Sequence, residues 1–283
     1  PADITRKETF DWSGAAVLMI CLCFFFLAIV KALDWGFVSI KTFGFIGISV
    51  LSAIWLYLME RRKEYPVFDI SLLRIRLFIF PIFAAVIIFA GLFTIVFLMP
   101  FFLVNPMGMP IDQAGYTMAI PFLFLFFVSP VSGTFSDKLG SRALCTAGMI
   151  IMAASLFFLS RLTASAPFIS VAWRLALAGI GTSVFLPPNS NITMSAVPPD
   201  RRGIASATVA TARNIGMVIG VSLAGLIFNS IFRSLSGGKS LEVYTPELEP
   251  IFMEAFGHAM FAGFIMACIG VVVTYLRGSE GER

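Results

Sequence analysis

Long apolar runs alternate with short, charged breaks along the whole chain. A helix needs about 20 apolar residues to cross a bilayer core. Eight runs come near that length, and the pattern predicts spans over 12–33, 42–59, 77–103, 113–131, 143–159, 168–197, 204–232 and 256–276. The breaks carry topology signals. Asp34-Trp35-Gly36 reads as an aromatic interfacial anchor, and 60–64 is a charged stop. The 68–76 segment mixes apolar and basic residues, as a short interfacial helix does. Pro106, Gly108 and Pro110 make a tight turn, 198–202 is a short charged turn, and 233–254 is a longer polar loop. Prolines interrupt several runs. Pro187-Pro188 in the sixth is expected to unwind its helix and free carbonyls, which is tolerated only where they face protein or a cavity.

Composition supports this reading. The 283 residues are 58% hydrophobic and 13% charged, with 31 Phe, and the mean hydropathy is +0.93. A soluble domain carries about 25% charged residues, so the fold class is an all-α polytopic membrane protein. The net charge of +4 is small, and its placement matters more. If 133–142 is cytoplasmic, then Arg6, Lys7, Arg61, Arg62, Lys63, Arg74, Arg76, Lys138, Arg142, Arg201, Arg202, Arg277 and Arg283 share its side. Lys31, Lys41, Arg161, Arg233 and Lys239 face the other. That bias places both termini in the cytoplasm and marks membrane topology rather than a nucleic-acid footprint. Cys21, Cys23, Cys145 and Cys268 lie inside apolar runs and read as small buried residues, not as a disulfide or metal set. Charged residues before the first span exclude a signal peptide, and the chain reads as the later part of a longer protein. The last six spans form two triplets, three to five and six to eight. Three is odd, so the triplets have opposite topology, as in the inverted repeats of secondary transporters.

The polar stretch 133–142, Gly-Thr-Phe-Ser-Asp-Lys-Leu-Gly-Ser-Arg, is the strongest candidate for function. Gly133 permits close helix approach and Gly140 a tight turn. Asp137 is placed to accept from the free N–H groups of the following helix, and Lys138 and Arg142 to pair with it or with lipid phosphate. The stretch is expected to be a loop that holds two bundles together in one state and releases them in another; an ordinary positive-inside turn is the simpler alternative. The pattern Gly-x-x-x-Asp-Lys-x-Gly-x-Arg resembles the signature loop of the major facilitator superfamily, with Ser141 where a basic residue is common. Around it, 10–14, 34–36, 66–74, 113–115 and 201–206 resemble the second half of fourteen-span drug:proton antiporters. Val104 departs from that pattern, where a Gln is frequent, and leaves substrate type open.

The resemblance implies a domain plan. Residues 1–64 would be two linker spans, 65–76 an amphipathic cytoplasmic connector, and 77–283 a six-helix bundle of two inverted three-helix repeats. The N-terminal bundle lies outside this chain. It implies multidrug efflux from a bacterial cytoplasmic (inner) membrane by proton antiport and alternating access, and no enzyme activity. The alternative is export of one specific metabolite, lipid or siderophore. Partners would be the small-molecule substrate, protons, membrane lipids, the missing half of the same protein and a periplasmic adaptor, with no nucleic acid. No cofactor or metal is expected, since no phosphate-binding, nucleophile–base or metal-ligand pattern occurs.

Within the spans, Arg174 and Arg213 stand out, because charge at membrane depth is costly and marks a bundle interior or an aqueous path. Arg174 is near enough to one end to snorkel. Asn189, Asn191, Phe93, Thr94, Phe97 and Tyr116 are candidates for a substrate cavity, and Gly216, Gly220 and Gly225 for close helix packing. No Asp or Glu lies at the middle of a span, so an acid that couples protons is expected outside this chain.

Overall fold

The computed structural model of the chain describes residues 11–35, 39–61, 72, 74–238 and 244–278, apart from the side chains of 32–34 and 137–139. Among the described residues there are nine α-helices and no strand. They are α1 (Trp12–Trp35), α2 (Ile40–Glu60), α3 (Arg76–Val104), α4 (Ile111–Met118), α5 (Ile120–Leu139), α6 (Ser141–Ser160), α7 (Phe168–Ser195), α8 (Arg202–Leu235) and α9 (Glu249–Leu276). Eight stretches are long and apolar enough to cross a membrane, α4 and α5 together forming the fourth. Pro121 explains why that span is split: it has no N–H for the Thr117 carbonyl, and its ring crowds the preceding turn. The Ala119 N–H at the break donates to the Tyr116 carbonyl at 3.1 Å, a tighter turn than the α-helix makes. Most of the expected connector 65–76 lies outside the described residues; Leu72, which is described, packs with Phe78, Val197 and Ala205.

Helices α1 and α2 pack on each other, and α1 also touches α8. Between them Ser49 donates to the Cys21 carbonyl at 3.0 Å. The remaining helices form one bundle with a two-fold internal order. Exchanging α3 with α7, α5 with α8 and α6 with α9 turns each principal contact into another: α3–α8 becomes α7–α5, α6–α7 becomes α9–α3, and α6–α9 maps onto itself. The sequence shows no matching repeat, but the interfaces carry one. Thr94 Oγ1 on α3 donates to its own-helix Ala90 carbonyl at 2.9 Å and to Gly220 O on α8 at 3.3 Å. Ser183 Oγ on α7 likewise donates to its own-helix Gly179 carbonyl at 2.5 Å and to Phe124 O on α5 at 3.1 Å. In both cases the residue four positions before the hydroxyl sits at the closest backbone approach, Ala90 against Gly220 and Gly179 against Pro121. Away from water, a hydroxyl bonded to two carbonyls fixes register where hydrophobicity alone does not, because lipid is as apolar as the helix surface.

The proline pair does not unwind α7, which is helical through Pro187 and Pro188. Pro188 cannot supply the N–H that the Val184 carbonyl would accept. Ser132 Oγ on α5 supplies the hydrogen bond instead, at 2.9 Å, so the helix continues across a defect mended from its neighbour. Ser132→Ala should therefore lower the melting temperature of the detergent-solubilised protein by several degrees, since an orphaned buried carbonyl costs about 1–3 kcal/mol. Thr134→Ala, which loses only an exposed bond to its own helix, should leave it unchanged.

The 133–142 stretch also differs from the expected loop. Helix α5 runs on through Leu139, and α6 begins at Ser141. The turn is Gly140 alone, at φ 80°, a backbone geometry that favours glycine. The polar residues of the motif thus lie on helix ends, because one left-handed residue suffices to reverse the chain. Of the cysteines, Cys145 is buried, Cys21 and Cys268 are half-buried and Cys23 is exposed, and all four are free.

Candidate functional site

At the end of the bundle where α5 turns into α6, three helices are tied together by arginines. Arg277, at the end of α9, is 2% exposed. Its Nη2 donates to Ser141 Oγ at 2.7 Å and its Nη1 to Cys145 Sγ at 3.6 Å, both in the first turns of α6. Arg142 stacks its guanidinium 4.5 Å over the Tyr275 ring on α9. Arg76, opening α3, donates through Nη2 to the Leu276 carbonyl at 3.1 Å, satisfying an end carbonyl of α9. Gly133 faces Pro187 of α7 across α5–α7, where an added Cβ would sit 3.9 Å from the Pro187 Cβ. The side chains of Asp137 and Lys138 lie outside the described residues. The latch through Arg277 was not singled out from the sequence, where Arg277 entered only as one of many basic residues beside a span. The partial signal was its place directly after an uninterrupted apolar run.

At membrane depth the polar groups gather where α3, α7 and α8 meet. Arg213 on α8 is half-buried. Its Nη2 donates to Ser190 Oγ on α7 at 2.9 Å, and its guanidinium lies 5.7 Å from the centre of the Phe89 ring on α3. Its Nε is buried without an acceptor. Asn189 is 2% exposed, with Nδ2 donating to the Pro81 carbonyl at 3.1 Å and Oδ1 buried without a donor. Asn191 is exposed on the same helix. Arg174 sits apart, in the second turn of α7: it donates to the carbonyl and hydroxyl of Ser170 and stacks 4.6 Å over Trp173. That arrangement supplies the guanidinium from its own helix and an aromatic neighbour, leaving Nε buried without an acceptor.

The other cavity candidates are dispersed. Thr94 is buried and committed to the α3–α8 interface. Phe93 and Phe97 pack against the main core. Tyr116 is exposed and lines a cavity of about 400 Å³ with Met109, Gln113, Thr117, Ile120 and Phe168, at the opposite end of the bundle from Gly140. Gly216, Gly220 and Gly225 are buried on α8. An added Cβ at Gly216 would strike the Val86 carbonyl oxygen, and one at Gly220 would strike that of Ala90. Near the Tyr116 end, Tyr244 lies edge-on to Phe252 at 5.9 Å. Burial, with the nearby Glu249 charge, pushes its phenol above the ordinary value. Among the described residues, no group of three or more His, Cys, Asp or Glu could hold a metal.

A bundle of inverted three-helix repeats, with small-residue interfaces and an arginine site at membrane depth, defines a transporter architecture. The chain belongs to the Major Facilitator Superfamily, whose pattern matches residues 81–277. It is 25% identical over 271 residues to the riboflavin transporter RibZ of Clostridioides difficile, covering 95% of this chain and 56% of that one. It is 27% identical over 225 residues to the multidrug resistance protein Stp of Mycobacterium tuberculosis, covering 78% and 41%. It is 26% identical over 251 residues to the tetracenomycin C resistance and export protein of Streptomyces glaucescens, covering 86% and 45%. The chain thus spans about half the length of these relatives. Its fold is similar to that of a bacterial homolog of the human lysosomal transporter Spinster, in an inward-facing and occupied conformation. There the TM-score is 0.54 at 19% identity, covering 93% of this chain and 64% of that one. The chain is a multi-pass membrane chain of this superfamily.

Proposed function

We propose that the chain is the C-terminal half of a proton-driven exporter of amphipathic drugs or toxic small molecules. It would work by alternating access in a bacterial cytoplasmic membrane with both termini inside. The observation that carries this reading is the inverted-repeat bundle whose α5–α6 turn bears the superfamily's Gly-x-x-x-Asp-Lys-x-Gly-x-Arg pattern. The tetracenomycin C resistance and export protein among the relatives supports the direction of transport. In this reading α1 and α2 are linker spans, 65–76 is the cytoplasmic connector, and 77–283 is the half that rocks against an N-terminal bundle. The coupling acid belongs to that other half, and a periplasmic adaptor is an optional partner. The residues Gly133, Asp137, Lys138, Gly140 and Arg142 form the cytoplasmic gate. Full-length protein carrying Asp137→Asn should reach the membrane in normal amount yet lose most of its efflux; undiminished efflux would sink the gating role.

A second reading, export of one specific metabolite, draws on the riboflavin transporter relative. Efflux assays with chemically unrelated compounds separate the two, because a dedicated exporter moves one class only.

A further inference from the structure

The Arg213 site has a chemistry that the fold does not need. A guanidinium carries five N–H donors and stays charged at any physiological pH. Here one donor meets Ser190 Oγ and the ring face of Phe89 lies alongside. Arg213 has no carboxylate partner among the described residues, and its Nε is buried unbonded. Arg174 is better supplied in the same bundle: it has two acceptors on Ser170 and a tryptophan stack close to a helix end, although its Nε is likewise buried without an acceptor. Arg213 lies eleven positions into α8, about 16 Å along a helix of 1.5 Å rise per residue, too deep for easy snorkelling. A lone cation at that depth costs several kcal/mol unless an anion meets it.

The surroundings match a wetted binding face rather than lipid. Asn191 and Asn214, the sequence neighbours of the two bridging residues, are exposed, as are Ser206, Ala207 and Ala210 on α8. The exposed faces of α5 and α9 instead show Phe122, Phe126, Phe127, Ile265 and Ile269. Asn189 adds a second buried polar atom without a partner on the α7 wall.

We infer that Arg213, positioned by Ser190 and Phe89, is the anchor for an acidic oxygen group of the transported compound, a carboxylate or an ionised phenol. The fork of N–H groups fits the paired oxygens of a carboxylate, while the Phe89 side offers an apolar surface for an attached ring system. This rests on the export reading and narrows its substrates to amphipathic acids, alongside or instead of cations.

The test uses the full-length protein in detergent with two dyes that share a xanthene ring, anionic fluorescein and cationic rhodamine 123, read by fluorescence anisotropy. Wild type should bind fluorescein. Arg213→Gln should weaken it tenfold or more while moving rhodamine 123 affinity less than twofold. Arg213→Lys, which keeps the charge but not the fork, should fall between, and Ser190→Ala should cost fluorescein two- to threefold. If Arg213→Gln fails to fold, judged by its melting curve, the Lys and Ser190→Ala arms carry the same selectivity prediction. Fluorescein binding that is absent in wild type, or indifferent to all three variants, overturns the inference; so does equal loss of both dyes in folded variants. Arg213-dependent binding without dye movement into proteoliposomes would support the site and instead refute export.

Discussion

Gly220→Leu is expected to lower the melting temperature by about 10 °C and to cut the amount of correctly inserted protein several-fold. Helix α8 approaches α3 so closely there that even a Cβ would strike the Ala90 carbonyl oxygen and lie 2.8 Å from the Ala90 Cα. Both obstacles are backbone, so no rotamer change relieves them, and the helices must part. Parting also breaks the Thr94 hydroxyl bond to Gly220 O. Overpacking of this kind sits at the upper end of its usual range, about 3 kcal/mol, and each kcal/mol moves a domain of this size about 2–4 °C. Gly44→Leu is the control, because an added Cβ on α2 meets nothing within 4 Å. If both variants melt alike, close α3–α8 contact is not what holds the bundle.

Replacing Arg277 with Met should open the α6–α9 end without changing side-chain length much. The substitution removes two hydrogen bonds from a buried guanidinium, to Ser141 and to Cys145. Bonds of charged groups are worth about 1.5–3 kcal/mol each. The readout is built in: Cys145 is fully buried in the native protein. In a background lacking Cys21, Cys23 and Cys268, maleimide labelling of Cys145 should rise ten- to a hundredfold in Arg277→Met, equivalent to about 1.4–2.8 kcal/mol of easier opening. Labelling at the wild-type rate would mean that Arg142 over Tyr275 and the Arg76 bond to Leu276 hold this end by themselves.

The eight spans were legible because twenty apolar residues in a row have few other uses. Membrane-depth Arg213 was legible for the same reason, as an exception to the run. What escaped is long-range. Arg277 meets Ser141 and Cys145 across more than 130 positions, and no local pattern marks that one terminal arginine will be buried while others stay solvated. The proline pair misled in the same way. Read alone, Pro187-Pro188 breaks a helix; in the fold α7 continues through both prolines, with Ser132 of α5 supplying the bond to the Val184 carbonyl that Pro188 cannot. The 133–142 stretch looked like a loop from its polarity, but polarity reports solvent, not backbone, and seven of its residues continue α5. The repeat relation between the triplets is carried by one hydroxyl and one small residue per interface, too little for a sequence comparison to register.

The single-residue connection at Gly140 has a mechanical corollary. One residue supplies about 3.8 Å of chain between neighbouring Cα atoms, so the tip of α5 cannot drift from α6 and any tilt of one drags the other. The equivalent pair under the internal exchange, α8 and α9, is separated in sequence by residues 236–248. The α5–α6 corner is therefore the stiffly hinged one of the two by chain length, and force applied there is transmitted from one helix to the other.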